Sequence, residues 1–227
     1  MTRPWTRREF ATMAAGAAAM SAIGTRAADG DVSKVLIIGV ACSPRRGKTT
    51  ARAVEHALEA ARNLSPTIET DLIDLGGLRV SGYAKSMPED DFTPFLERFK
   101  DSRLGGLIIG SPCYYRAPSA LCRAFIERLS PLREPVMVLA DKPVGAVGVG
   151  AFRNGGQELV ISEILTSMLC FGMMPVGGNP PAFQGATVVS KEDDISADTL
   201  GLETLAKLGQ RVAAVALRRV RGAWPGT

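Results

Sequence analysis

Residues 35–40, 104–109 and 144–149 are runs of Val, Leu, Ile, Ala and Gly with no polar position inside them. Such runs read as strands buried on both faces of a sheet. Residues 67–75, TIETDLIDL, alternate instead, as a strand nearer a sheet edge does. Ala51, Val54, Ala57, Leu58 and Ala61 fall at helical spacing and predict a helix over 49–63, stopped by Ser65-Pro66. Asp90 and Asp91 precede Phe92, Phe95, Leu96 and Phe99, which predicts an amphipathic helix with carboxylates at its positive end. Leu121, Ala124, Phe125 and Leu129 predict another, with Pro118 and Ser119 near its start. A fourth is expected over 156–171, ended by Gly172. Residues 173–176 read as a short last strand, followed by a Gly- and Pro-rich loop and a closing helix over 197–220.

Strand and helix alternate five times, which implies a doubly wound α/β parallel sheet, because parallel strands need helical crossovers. Ligands of such sheets sit beyond the carboxyl ends of the strands. Three Gly-, Pro- and polar-rich loops follow the most buried strands, at 42–50, 110–118 and 150–158. Their shared rim is the candidate site.

The first loop carries Ser43, Arg45, Gly47, Lys48, Thr49 and Thr50 ahead of a helix. The first N–H groups of a helix have no internal partner, and that end is electropositive. Hydroxyls and cations add to it, so a phosphate is the favoured ligand. Gly47-Lys48-Thr49 also resembles the end of a nucleoside-triphosphate loop. Cys42 stands where that loop needs its first glycine, and Pro44 removes an N–H. The hydrolase reading survives only as an alternative, with residues 136–141 as a poor second motif for magnesium. A third reading is an ordinary solvent-facing loop.

The 227 residues are 46% hydrophobic and 22% charged, which suits one α/β domain, and no stretch is long and apolar enough for a membrane span. The amino-terminus differs from the rest. Arg7-Arg8 and Phe10 precede a mildly apolar run of small residues, which resembles a twin-arginine export signal over 1–28; Ala11 departs from the usual Leu. The domain then occupies 29–227, and the expected destination is the periplasm. Removal of residues 1–27 takes away four arginines and one glutamate, so the net charge falls from +4 to +1. The remaining basic residues are scattered without an aromatic stripe, which argues against nucleic-acid binding. The four cysteines show no CxxC spacing, so no metal is expected. Cys122 and Cys170 read as buried thiols. Cys42 and Cys113 each follow a buried strand, and a disulfide between them is expected to be within reach after export. His56, the only histidine, is given no chemistry.

Ser43-Pro44-Arg45-Arg46-Gly47-Lys48-Thr49-Thr50, Gly110-Ser111-Pro112-Cys113-Tyr114 with Phe125-Ile126-Glu127-Arg128, and Gly155-Gly156-Gln157-Glu158 with Gly172-Met173 together resemble the flavodoxin-like NAD(P)H-dependent FMN reductase family. Lys48 and Glu127 depart from its common Asn and Asp. The iron–sulfur relatives carry a cysteine cluster before an Asp-Asp pair; here no cysteine lies between Asp71 and Asp91. The resemblance implies strand order 2-1-3-4-5 and bound FMN, with NAD(P)H as electron donor. It places Ser43, Arg45, Gly47, Lys48, Thr49 and Thr50 at the phosphate. It places Ser111, Pro112, Cys113, Tyr114 and Tyr115 on one side of the ring, and Gly150, Phe152, Asn154, Gly155 and Gly156 on the other. The chemistry would be borne by the flavin, with no catalytic side chain. The function implied is hydride transfer from NAD(P)H to a quinone or similar small-molecule acceptor. The alternative is an exported electron carrier without NAD(P)H turnover. The other partner expected is the twin-arginine export machinery, and the oligomeric state expected is a homodimer or homotetramer.

Overall fold

A computed structural model describes residues 34–222. The expected export signal lies outside the described residues. The elements, in chain order, are β1 (Val35–Ala41), α1 (Thr49–Arg62), β2 (Ile68–Asp74), a 3₁₀ helix (Thr93–Lys100), β3 (Leu104–Tyr114), β4 (Ala117–Pro118), α2 (Ala120–Arg128), a 3₁₀ turn (Ser130–Leu132), β5 (Pro143–Gly150), α3 (Gln157–Leu169), β6 (Met174–Pro175), β7 (Ala186–Val189) and α4 (Thr199–Val220).

The main sheet is parallel, in the order β2-β1-β3-β5, and its last position is shared by β6 and β7. This is the doubly wound, flavodoxin-like architecture. The unbroken apolar runs have a simple cause. Val35, Ile37 and Ala41 belong to one apolar cluster, while Leu36, Ile38 and Val40 belong to another. Side chains alternate across a pleated strand, so β1 feeds both cores at once. The first core is closed by α1 and α4 through Ala53, Val54, Ala57, Leu208 and Val212. The second is closed by the 3₁₀ helix, α2 and α3 through Phe99, Phe125, Val160 and Ile164.

Three expectations need correction. The loop after residues 173–176 contains a further strand, β7, which pairs Val147 with Ala186 and Gly150 with Val189. Residues 110–114 are not loop but the end of β3, which turns back as a tight hairpin pairing Tyr114 with Ala117. The segment after Asp90-Asp91 is a 3₁₀ helix, not an α-helix. Asp90 caps it, its Oδ1 accepting from Phe92 N and Thr93 N at 3.1 Å each. The same carboxylate receives Arg128 Nε and Nη2 at 3.1 Å, a buried ion pair that ties the 3₁₀ helix to α2. Residues 136–141 form a turn, so no strand carries the magnesium motif of the hydrolase reading.

Candidate functional site

β1, β3 and β5 lie side by side, and their carboxyl ends bring the three expected loops together. Direct bonds join them. Ser119 Oγ donates to Cys42 O at 2.6 Å, linking the first loop to the second. Cys113 Sγ donates to Gly155 O at 3.3 Å, linking the second to the third. Gly156, at φ +105°, packs on Arg116: a Cβ there would meet Arg116 Cα at 3.0 Å.

The first loop is shaped by its own short-range bonds and by β2. Ser43 is buried, and its Oγ accepts from Arg45 N at 3.2 Å. Asp74, at the end of β2, accepts from Gly47 N at 2.7 Å and from Gly76 N at 2.9 Å. Thr49 and Thr50 are buried in the first turn of α1. Lys48 is the N-cap, yet no side chain caps the helix. The N–H groups opening α1 therefore remain available to an anion. Arg45, Gly47 and Lys48 are exposed. Arg45 pairs with Asp193, and Lys48 Nζ lies 3.4 Å from the same carboxylate.

The second loop divides into support and rim. Ser111 is wholly buried; its Oγ accepts from Ser119 N at 2.9 Å and donates to Pro112 O at 2.9 Å. Pro112 is buried in register with Val149, Cys113 is half-buried, and Tyr114 is exposed. Tyr115 is fully exposed at φ +52°, beside Arg116 at φ +68°. In the third loop Gly150 is buried and Gly155 partly so, while Phe152 and Asn154 face outward. Behind that loop Gln157 is fully buried. Its Nε2 donates to Phe152 O at 2.7 Å and reaches Val188 O at 3.5 Å. Its Oε1 is a buried acceptor without a partner among the described residues.

The cysteines depart from expectation. All four are free thiols, and Cys170 is exposed instead of buried. Ala41 pairs with Gly110, which puts Cys42 level with Ser111. Cys113 lies two residues beyond, roughly 6–7 Å further along the strand. That offset separates the two thiols that sequence reasoning paired. Burial first, then the neighbouring Cys122, pushes the Cys42 thiol well above its ordinary pKa, so it is inert.

Asp74, Gly76, Gln157 and Asp193 are contributors that sequence reasoning missed. Gln157 stood inside a quoted motif, and Asp74 ended a correctly placed strand; neither pattern reveals what the side chain touches. The set fits the FMN expected from the sequence. Unclaimed N–H groups and hydroxyls suit its phosphate, and the orphaned Gln157 oxygen leaves an acceptor beside the loop expected at the ring.

Comparison with known proteins gives the same answer. The family model described as NADPH-dependent FMN reductase matches residues 33–187. An iron–sulfur flavoprotein of Methanocaldococcus jannaschii is 37% identical over 79% of this chain and 96% of its own. An iron–sulfur flavoprotein of Archaeoglobus fulgidus is 30% identical over 78% of this chain and 95% of its own. Among solved structures, RosB with bound 8-demethyl-8-formylriboflavin-5'-phosphate superposes with TM-score 0.64 at 15% identity, covering 86% of this chain and 82% of that one. A WrbA-like flavodoxin from Agrobacterium tumefaciens gives 0.58 at 20% identity, over 82% and 99%.

Proposed function

The chain belongs to the NADPH-dependent FMN reductase family, and from that premise we propose an FMN-dependent oxidoreductase that takes hydride from NAD(P)H and passes electrons to a quinone or similar small acceptor. FMN is its cofactor. The observation that carries this reading is the convergence of three loops, bonded to one another, beside the uncapped start of α1.

Each residue then has a task. The N–H groups opening α1, with the Ser43, Thr49 and Thr50 hydroxyls, hold the phosphate; Arg45 and Lys48 add charge. Asp74 fixes the loop through Gly47. Pro112, Cys113 and Tyr114 line one side of the ring, and Gly150, Gly155 and Gly156 line the other. Phe152 and Tyr115, both exposed, offer apolar faces to an aromatic co-substrate. When bound, FMN supplies the redox chemistry, so no protein base is required.

Two finer points belong to the same reading. Export by the twin-arginine route to the periplasm is proposed from Arg7-Arg8 and the run after them; cell fractionation with an Arg7→Lys, Arg8→Lys pair tests it. That location favours a second reading, an electron carrier without NAD(P)H turnover, because NAD(P)H is a cytoplasmic donor. Purification of the full chain decides between the two. A flavin absorption spectrum with NAD(P)H oxidation by a quinone is expected. Flavin without turnover would favour the carrier, and a colourless protein that takes up no FMN would overturn both.

A further inference from the structure

The turn after β7 reaches across the rim and touches the phosphate loop. It is closed by Lys191 N to Asp194 O at 2.8 Å and Asp194 N to Lys191 O at 2.9 Å, with Glu192 at φ +52° and Asp193 at φ +60°. Its base is fixed to the third loop. Ser190 N donates to Gly150 O at 2.8 Å, and Asp198, which accepts from Val189 N at 2.7 Å, pairs with Arg153. Its tip lies on the first loop. Asp193 pairs with Arg45 and, at 3.4 Å, with Lys48; Arg52 Nη1 reaches Asp193 O at 3.5 Å and Asp194 Oδ1 at 3.9 Å.

One carboxylate thus engages two of the three cations of the loop that precedes α1, Arg45 and Lys48. The attraction is the one a phosphate would feel: an electropositive helix start with two cations beside it. We propose that Asp193 is an internal competitor for the cofactor's phosphate, occupying Arg45 and Lys48 until FMN displaces it. The inference rests on the FMN reading above. A phosphate arriving beside Asp193 meets a like charge and must take over its cations. The side chains of these pairs are 42–49% exposed, so the contact is a weak one that a dianion can displace. Asp193 therefore lowers FMN affinity without blocking the site, and a flavin without phosphate escapes the effect.

The test uses full-length apoprotein titrated with FMN and with riboflavin, read by quenching of flavin fluorescence, in wild type, Asp193→Asn and Asp194→Asn. Asn tolerates positive φ, so the turn is kept, and melting temperature checks the fold. Asp193→Asn should tighten FMN by about fivefold at low salt. Riboflavin should change less than about twofold, and the gain should shrink in ~1 M salt. Asp194→Asn, whose carboxylate accepts from Ser196 Oγ and has only the more distant Arg52 as a cation partner, should have a smaller effect. An Asp193→Asn protein that binds FMN no tighter, or more weakly, would overturn the competition and make Asp193 a positioner of Arg45. A gain shared equally by riboflavin would overturn it too. Wild type that binds neither flavin would remove the FMN reading itself, and the competition with it.

Discussion

A methyl group at position 76 would sit 2.4 Å from the backbone N and Cα of Arg46, closer than any such contact can be. The phosphate loop therefore lies on a bare backbone two residues after β2. Gly76→Ala should weaken FMN affinity tenfold or more, as titration of apoprotein would show, while the two apolar cores stay intact. Nothing in the sequence announces this. Gly76-Gly77 reads only as a strand break, because its partner lies 30 positions earlier in the chain. Ser43, Thr49 and Thr50 stood out in the sequence because hydroxyls at and just before a helix start carry a local signal. Gln157 was not, because its environment is built by Phe152 and Val188 from two other segments. Asp90 yields a pH prediction. Burial raises its pKa, but the Arg128 hydrogen bonds and then the Ser81 N–H outweigh that and lower it to about 2. An unfolded aspartate titrates near 3.9. The folded value is the lower one, so this stabilisation is complete above about pH 5 and is lost as pH falls through the folded value. Urea unfolding should show wild type losing stability between pH 5 and 2.5, with a shallower loss in Asp90→Asn. That variant strands Arg128 and should start about 3–5 kcal/mol lower.

Among the elements, the β3–β4 hairpin holds stored strain. Its two turn residues, Tyr115 and Arg116, both have positive φ, a conformation that costs roughly 1–2 kcal/mol for ordinary side chains. Tyr115 packs on nothing, being fully exposed, so Tyr115→Asn should raise stability by about 1 kcal/mol in urea denaturation. The same change should weaken use of an aromatic acceptor, seen as a raised KM, since it removes a rim aromatic. The hairpin was hidden in the sequence because Gly-Ser-Pro-Cys-Tyr-Tyr reads as a loop, whereas β3 continues through it. The long helices were placed to within two residues, since their apolar stripes repeat several times. An eight-residue segment such as Thr93–Lys100 is too short to separate a period of 3.0 from one of 3.6. β7 is four residues long between a Gly- and Pro-rich stretch and an acidic turn, too brief for any periodicity to register.

For the whole molecule, the burial of the inner strands followed from three unbroken apolar runs, because only a strand covered on both faces needs them, whereas their order came from the family resemblance. Where the rim is bridged from outside, by the turn at Asp193, the pattern was silent. FMN that binds only the folded state should stabilise it by about 2.7 kcal/mol at a hundredfold excess over Kd. For a chain of this length that is roughly 5–11 °C in Tm, to be read by calorimetry with riboflavin as the comparison. The two borders of the sheet are guarded by different means. β2 carries Glu69 and Asp71, held by Lys34, Arg103 and Arg98, so a charged fringe lines that side. The far side is divided between Met174–Pro175 and Ala186–Val189, with the backbone leaving the sheet between them. No stretch there exceeds four residues, and one of them is a proline, which offers no N–H. A foreign chain seeking a template meets charges on one border and no continuous row of donors and acceptors on the other, so concentrated protein should resist fibril growth and thioflavin T should stay dark.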